Sequence, residues 1–438
     1  MPATTISLLN NLVKTIYGPA LRRQLTLSSP AYKYFKSIGV GDVNWTKEGN
    51  GFTEGVLLNR NESYSALPEL GNLPDSNFPK TALMLIPMKY HWWSISMSLQ
   101  VMDNIAEGVS SFATPLKLQM DGITIGARAQ MARMMWGDGR GALAQVSAAA
   151  AIGATTIAVD NPQLNVGAVG GAKFIRENMI LAVFDPTDTT LVGMLTVTGV
   201  ASTGLSFTVA ATTFAIADNS ILYHGNIATN TSATLGTSRN NECMGLRGMV
   251  NNAAGFQNYF SIDRAISPQM SSQVSDGSGG LSEDLLQRNF DAIQVLGDDE
   301  EGKVDNIKIL CEHGVRRAYL AIQSANRRFM GEFTEKRDFA SAAVQNKMNL
   351  TFGGFEIIAD YGAPYGEMIL FDKSGARMVE QKNEWVDKTG SIWNQAASPR
   401  NASFVADYTV WKNAYHLYPR ACARITAIPA TNIYIRRF

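Results

Sequence analysis

The sequence predicts an α+β chain, and three observations carry that expectation. Residues 114–136 hold apolar side chains at steps of three and four, the spacing of one long helix. Residues 145–228 are poor in charge and break into short apolar runs separated by turn residues, the pattern of a small all-β unit. After residue 281, helical stripes and strand-like runs alternate, so strands and helices share one body.

The long helix organises the rest. Its stripe is Leu116, Met120, Ile123, Ala127, Met131 and Met134. Thr114 is placed to cap it and Pro115 to occupy its first turn. Gly137 and Gly139 are expected to end it, because glycine takes left-handed backbone angles without steric cost. At about 1.5 Å per residue the helix runs roughly 33 Å and needs something large to lie against.

Before the helix come two pieces with little core of their own. Residues 1–44 read as an arm whose short stripe includes Ile6, Leu9 and Val13. Residues 45–99 read as a two-stranded excursion with limbs at 51–63 and 81–99 and a Pro-, Gly- and Asn-rich tip between them. The second limb is apolar or aromatic at both parities from Leu83 to Trp93, unlike a strand with one wet face. Either both faces are covered, in part by a neighbouring molecule, or these are ordinary buried core strands.

After Gly141, turns at 160–165, 185–190, 201–204 and 217–220 punctuate the β unit, which reads as a compact barrel inserted into the chain. Ser282 then caps a helix with Leu286, Phe290 and Ile293 on one face. A strand near 304–311 precedes a second helix, 315–328, with Val315, Tyr319, Ile322 and Ala325 inward. FEIIAD and EMILFD, joined by YGAPYG, read as a hairpin, and the tail supplies one or two more strands.

Composition bounds the function. The 438 residues are 45% apolar, carry zero formal net charge and only 17% charged side chains. That supports a packed core and argues against a strongly basic, sequence-reading nucleic-acid surface. No run of about 18 apolar residues marks a membrane span, and the first residues lack a signal-peptide pattern. Three widely spaced cysteines, Cys243, Cys311 and Cys422, read as free thiols.

No catalytic, cofactor or metal constellation emerges. GDGRG at 137–141 follows a helix instead of opening one, so it reads as a structural turn and not a phosphate cradle. Cys311 and His313 are two ligand types without the further ligands a metal site needs. The acidic run at 298–301 has no apolar pocket to separate carboxylate pKa values. Arginine doublets at 22–23, 316–317, 327–328 and 436–437 fit solvated faces or inter-subunit ion pairs better than phosphate contacts.

The order of pieces resembles the major capsid proteins of tailed bacteriophages, the Johnson or HK-ninety-seven-like fold. The resemblance rests on VMD at 101–103 before the long helix and its GDGRG, NRNE at 59–62, ELGNLP at 69–74, GLRGMV at 245–250, SIDRA at 261–265, HGVRRAY at 313–319 and the 355–372 segment. It implies an N-terminal arm (1–44), an extended loop (45–95) lying over an adjacent subunit, and a peripheral domain (96–145 and 229–285) with the long helix as spine. It further implies an axial domain (286–405) and return strands (406–438), with the β unit (146–228) as an insertion domain. The candidate inter-subunit contacts are Ile6, Leu9, Val13, Arg60, Glu69, Leu83, Leu85, Trp92 and Trp93.

The function so implied is a structural, non-enzymatic shell subunit. It would assemble as pentamers and hexamers into an icosahedral virion capsid in the host bacterial cytoplasm, around double-stranded DNA held without sequence specificity. A separate scaffolding protein is expected, because residues 1–44 are too short for a fused one; a portal protein and a decoration or cement protein are further implied partners. The alternatives are a bacterial nanocompartment shell of the same fold and a β-rich hydrolase using Asp or Glu pairs.

Overall fold

The computed structural model describes residues 29–46, 50–59, 61, 63–69, 71–98, 113–226, 232–233, 236–296, 306–327, 350–387, 393–395 and 403–429. The expected contacts at Ile6, Leu9, Val13 and Arg60 lie outside these residues, as do the arginine doublets at 22–23 and 436–437.

In chain order, β1 (Lys36–Ile38) and β2 (Asn44–Trp45) precede β3 (Gly51–Asn59), β4 (Lys80–Pro87) and β5 (Lys89–Ser98). The long helix, α1, spans Ala113–Met134. It begins before Thr114, so Thr114 and Pro115 lie within its first turn. Six strands follow: β6 (Ala142–Val146), β7 (Thr156–Asp160), β8 (Ile180–Phe184), β9 (Leu191–Val200), β10 (Ser206–Val209) and β11 (Ile221–His224). They close into a barrel in the order β10-β7-β6-β11-β8-β9. Its interior is Leu143, Val146, Ile157, Val159, Leu181, Val183, Val197, Phe207, Leu222 and their neighbours. The barrel starts earlier than the sequence suggested, because β6 pairs with both β7 and β11. Residues 171–174 form a single 3-10 turn.

The remaining elements are α2 (Leu246–Met249), β12 (Asn258–Tyr259), β13 (Ile262–Asp263), β14 (Gln273–Asp276), α3 (Glu283–Leu296), β15 (Ile307–Cys311) and α4 (His313–Arg327). After them come β16 (Thr351–Phe352), β17 (Phe355–Ala359), β18 (Met368–Asp372), β19 (Ala376–Trp385), β20 (Trp393–Gln395), β21 (Ser403–His416) and β22 (Ala423–Thr426). Ser282 Oγ accepts from Leu285 N at 3.1 Å, so the expected cap of α3 forms.

A six-stranded sheet runs β14-β22-β18-β15-β17-β16. The hairpin expected from FEIIAD and EMILFD does not form. β15 lies between β17 and β18, parallel to the first and antiparallel to the second. All five residues of β18 are buried, because both sheet faces are covered. Met368 and Leu370 meet the core of α3 and α4, including Phe290 and Tyr319, while Ile369 and Phe371 face the main core.

The second large sheet runs β1-β19-β21, with β5 and β20 also on the long strand β21. These memberships displace the expected boundaries. Residue 405 falls inside β21, 285 falls inside α3, and 95 falls inside β5. β19 belongs with β21 and β5, whereas β22 returns to the sheet of β15 and β18. Long-range pairing decides these memberships, and local sequence pattern does not encode it.

Candidate inter-subunit surface

β3 and β4 form an antiparallel ribbon in register Phe52↔Ile86 and Val56↔Ala82, with β2 on the far side of β3. Alternation gives the ribbon two unlike faces. Phe52, Val56, Leu58, Met84 and Ile86 point into the main core. Phe52 sits 5.7 Å from the Tyr415 ring, and Glu54 pairs with Arg377 at 3.1 Å. On the opposite face Leu57, Leu83 and Leu85 are exposed, Leu83 at 71%. Ser261 clips the edge of β4, donating to Leu83 O at 3.1 Å and accepting from Leu85 N at 2.9 Å.

The tip beyond the ribbon carries more apolar surface. Leu73 is 87% exposed and Phe78 83%, with Tyr64 also exposed. Asn77 N donates to Ser63 Oγ at 2.6 Å across the base of the loop. Glu69 lies in an exposed turn of this loop.

The second limb is therefore two strands in two sheets. β4 stays with β3, and β5 pairs with β21 from Ser98↔Ser403 to Lys89↔Lys412. The change occurs at Pro87–Met88. Pro87 O accepts from Asn413 Nδ2 at 2.6 Å and Met88 N donates to Asn50 O at 2.9 Å. Even-numbered residues face inward before this point and odd-numbered ones after it, which is why the sequence looked apolar at both parities. Trp92 is exposed and Trp93 half-buried. Tyr90 stands edge-on to Trp411 at 5.0 Å, and Lys382 Nζ lies 4.3 Å over the Trp411 ring. On the inner side His91 is buried with its pKa pushed down to about 3, first by burial and then by the cations Lys412, Arg133 and Lys89.

α1 packs by its C-terminal half. Ala127, Met131 and Met134 are buried, Ile123 is half-buried and Ile125 is exposed. Leu116 and Met120 lie on α1, with side chains outside the described part. The turn after α1 uses glycine differently from the expectation. Gly139 and Gly141 take φ of +83° and +85°, whereas Gly137 is not left-handed. The backbone of this turn instead receives α2: Leu246 N donates to Met135 O at 2.7 Å and Gly248 N to Gly137 O at 3.3 Å. A Cβ on Gly245 would collide with Met134 O. Asp138 accepts from Arg140 N at 3.0 Å and Arg140 Nε at 2.8 Å, closing the turn on itself.

Sequence reasoning missed two buried arginine sites. Arg264, 1% exposed, donates to Met270 O, Phe256 O, Gly248 O and Met249 O at 2.8–2.9 Å. Burial pushes its pKa down to about 10. Arg247 and Arg424 flank the buried Glu367, each Nε 3.5 Å from Oε1. The only local signal was the place of Arg247 in GLRGMV and of Arg264 in SIDRA, since an arginine in a short polar segment reads as exposed.

The other candidates are core or surface. Cys243, Cys311 and Cys422 are buried and unbridged, and burial raises the pKa of each thiol. His313 starts α4 with its pKa lowered by burial. Arg317 is exposed and Arg316 half-buried on α4. Among the described residues no three His, Cys, Asp or Glu side chains gather to hold a metal. None of the described helices is long and apolar enough to cross a membrane.

No family model matches the chain, and no curated protein matches it. Among solved structures it is similar to a chain of the cyanophage A-1(L) capsid asymmetric unit, with a TM-score of 0.50 and 10% identity, over 88% of this chain and 90% of that one. The capsid of an empty GTA particle matches at TM-score 0.45 and 10% identity, over 90% of this chain and 94% of that one. The holo-SrpI encapsulin complex from Synechococcus elongatus PCC 7942 matches at 0.37 and 10%, over 93% and 91%. At these identities the likeness is one of fold. The chain has the α+β fold of tailed-phage capsid proteins, as the order of its elements implied.

Proposed function

We propose that this chain is the major structural subunit of an icosahedral phage head, assembling as pentamers and hexamers around double-stranded DNA. The observation that carries the reading is the half-dressed excursion at 51–98. Its inner face belongs to the chain's own core, while Leu57, Leu83 and Leu85 and the tip residues Leu73 and Phe78 are apolar and exposed. A neighbouring copy that covers them removes apolar area from water at about 25 cal/mol per Å². Repeated around a closed shell, many such modest contacts sum to a stable particle.

In this reading α1 is the spine of a peripheral domain that includes the β5–β21–β19 sheet. The six-stranded sheet with α3 and α4 is the axial domain, and the barrel is an insertion. The expected partners are further copies of the chain, a separate scaffolding protein, a portal and a decoration protein. Packaged DNA meets a chain of zero net charge, which encloses it without gripping it. Assembly takes place in the bacterial cytoplasm.

Several buried carboxylates are engaged in structure, which weighs against a hydrolase. Glu312 accepts from Gly314 N at 2.6 Å, Asp360 from Gly362 N at 2.9 Å, and Glu242 pairs with Arg133. The test is size-exclusion chromatography and negative-stain microscopy of the purified chain, alone and with its scaffolding partner. Rings or shells support the reading. A well-folded monomer at high concentration under both conditions sinks it, and shells isolated with enclosed protein cargo in place of DNA favour the nanocompartment.

A further inference from the structure

The barrel joins the body through a stem of two paired strands, β6 and β11. A glycine bounds each strand: Gly141, at φ +85°, precedes β6, and Gly225, whose N still donates to Ile180 O of β8, follows β11. An arm, residues 161–173, packs on the barrel through Leu164 and Ala172 and reaches into the body through its other residues. Gln163 Nε2 donates to Arg133 O in the last turn of α1 at 2.8 Å. Arg247 of α2 donates to Gln163 O. Asn165 Nδ2 donates to Glu367 Oε2 at 3.2 Å. Lys173 donates to Ala363 O and lies 4.1 Å over the Tyr365 ring.

Two features set this arm apart. Asn161, Gln163 and Leu164 hold φ of 43°, 53° and 58°, a run of left-handed non-glycine backbone that persists only where surroundings impose it. The junction it enters is also incompletely satisfied. Arg247 Nε, Arg424 Nε, Glu367 Oε1 and Gln163 Oε1 are all buried without a hydrogen-bond partner, and the two arginines stand 3.5 Å from Glu367. The barrel's closed core includes Ala172 at the end of the arm, so the barrel and that end of the arm move as one body and the core stays intact. A further tie, Asp188 to Arg239 at 2.9 Å, lies beside the stem.

We propose that the 161–173 arm is a releasable catch, and that the Gly141–Gly225 stem is the hinge about which the barrel swings as a rigid unit when the catch opens. Opening relaxes the left-handed backbone and lets Arg247 and Arg424 close on Glu367. This inference stands on the chain's own geometry and does not depend on the shell reading.

Hydrogen exchange of the full chain, read by mass spectrometry, tests it. In the Gln163→Ala/Asn165→Ala double variant, amides of the arm and of residues 363–367 should exchange about tenfold faster, with β8 and β9 unchanged, as a local opening requires. Val183→Ala, inside the barrel, should show the reverse: faster β8 and β9, unchanged 363–367. If the double variant does not fold, Asn165→Ser alone carries the same comparison. Arm and barrel strands accelerating together would overturn the proposal, because the arm would then be part of the barrel's fold. No change at all would overturn it too, because the arm would hold nothing.

Discussion

The barrel and the β3–β4 ribbon solve the same problem in opposite ways. Both leave the body as runs of short strands, and both must dispose of apolar side chains. The barrel pairs every strand on both sides and turns Leu181, Val183 and Phe207 inward on one another. The ribbon has three strands and cannot close; it lends one face to the main core and leaves the other bare. A closed sheet finishes its own interior, while an open one leaves an interface. The exposed leucines are thus a consequence of strand number as much as of composition.

The largest expected effect separates the two cores. Phe52→Ala and Phe207→Ala each empty a fully buried site and should each cost about 3–5 kcal/mol. All seven tryptophans lie outside residues 142–224. Phe207→Ala should therefore move a barrel transition seen by far-UV circular dichroism and leave tryptophan fluorescence nearly unmoved. Phe52→Ala should move the fluorescence transition. Coincident shifts of both signals in both variants would mean that barrel and body unfold as one.

Next in size is Arg264→Leu, which strands four buried carbonyls beside the ribbon's clip at Ser261. A loss on the order of 3 kcal/mol is expected in urea denaturation of the body. An unchanged midpoint would show that the loop from 248 to 270 reorganises without it.

Acid should act on the body through His91 behind β5. Its folded pKa of about 3 lies below the ordinary histidine value, so the unfolded chain binds more protons between the two. The neutral form's contribution is full above about pH 6.5 and is lost as pH falls toward 3, with a slope up to about 1.4 kcal/mol per pH unit. Lys89, Arg133 and Lys412 face this ring and hold it neutral. Thermal melts from pH 7.5 to 4.5 should show the decline, and His91→Gln should reduce it, leaving the share of His224 and His416, whose pKa values burial also lowers; an equal slope in the variant would assign the acid sensitivity elsewhere.

The smallest effect on the isolated chain is the most diagnostic of the ribbon. Leu83→Ser with Leu85→Ser alters exposed positions and should shift chain stability by no more than about 0.5 kcal/mol. If the outer face is an interface, the same variant should fail to form particles by negative-stain microscopy. Normal shells from it would mean that the ribbon's bare face is simply solvated.

Much of the fold was legible in local pattern. The 3.6-residue period marked α1, and Ser282 announced α3 through a cap within its own first turn. Turn chemistry separated the strands from β7 to β11, because each run carries its own alternation and its own stop. The ribbon's apolar residues were also visible, but the assignment of inner and outer faces was not. That assignment hinges on Asn413, distant in sequence, which donates to Pro87 O at the point where the chain changes sheets while accepting from Met244 N.

What the sequence alone determined, then, was α1, α3, α4, the strands from β7 to β11 and the excess of apolar side chains in residues 51–98. Tertiary structure decided which strands are neighbours: β15 between β17 and β18, β19 with β21, and Glu367 between Arg247 and Arg424. The physical reason is range. Helix period, caps and turns are set within a few residues, whereas sheet order and buried charge pairing depend on groups brought together only after the chain has folded.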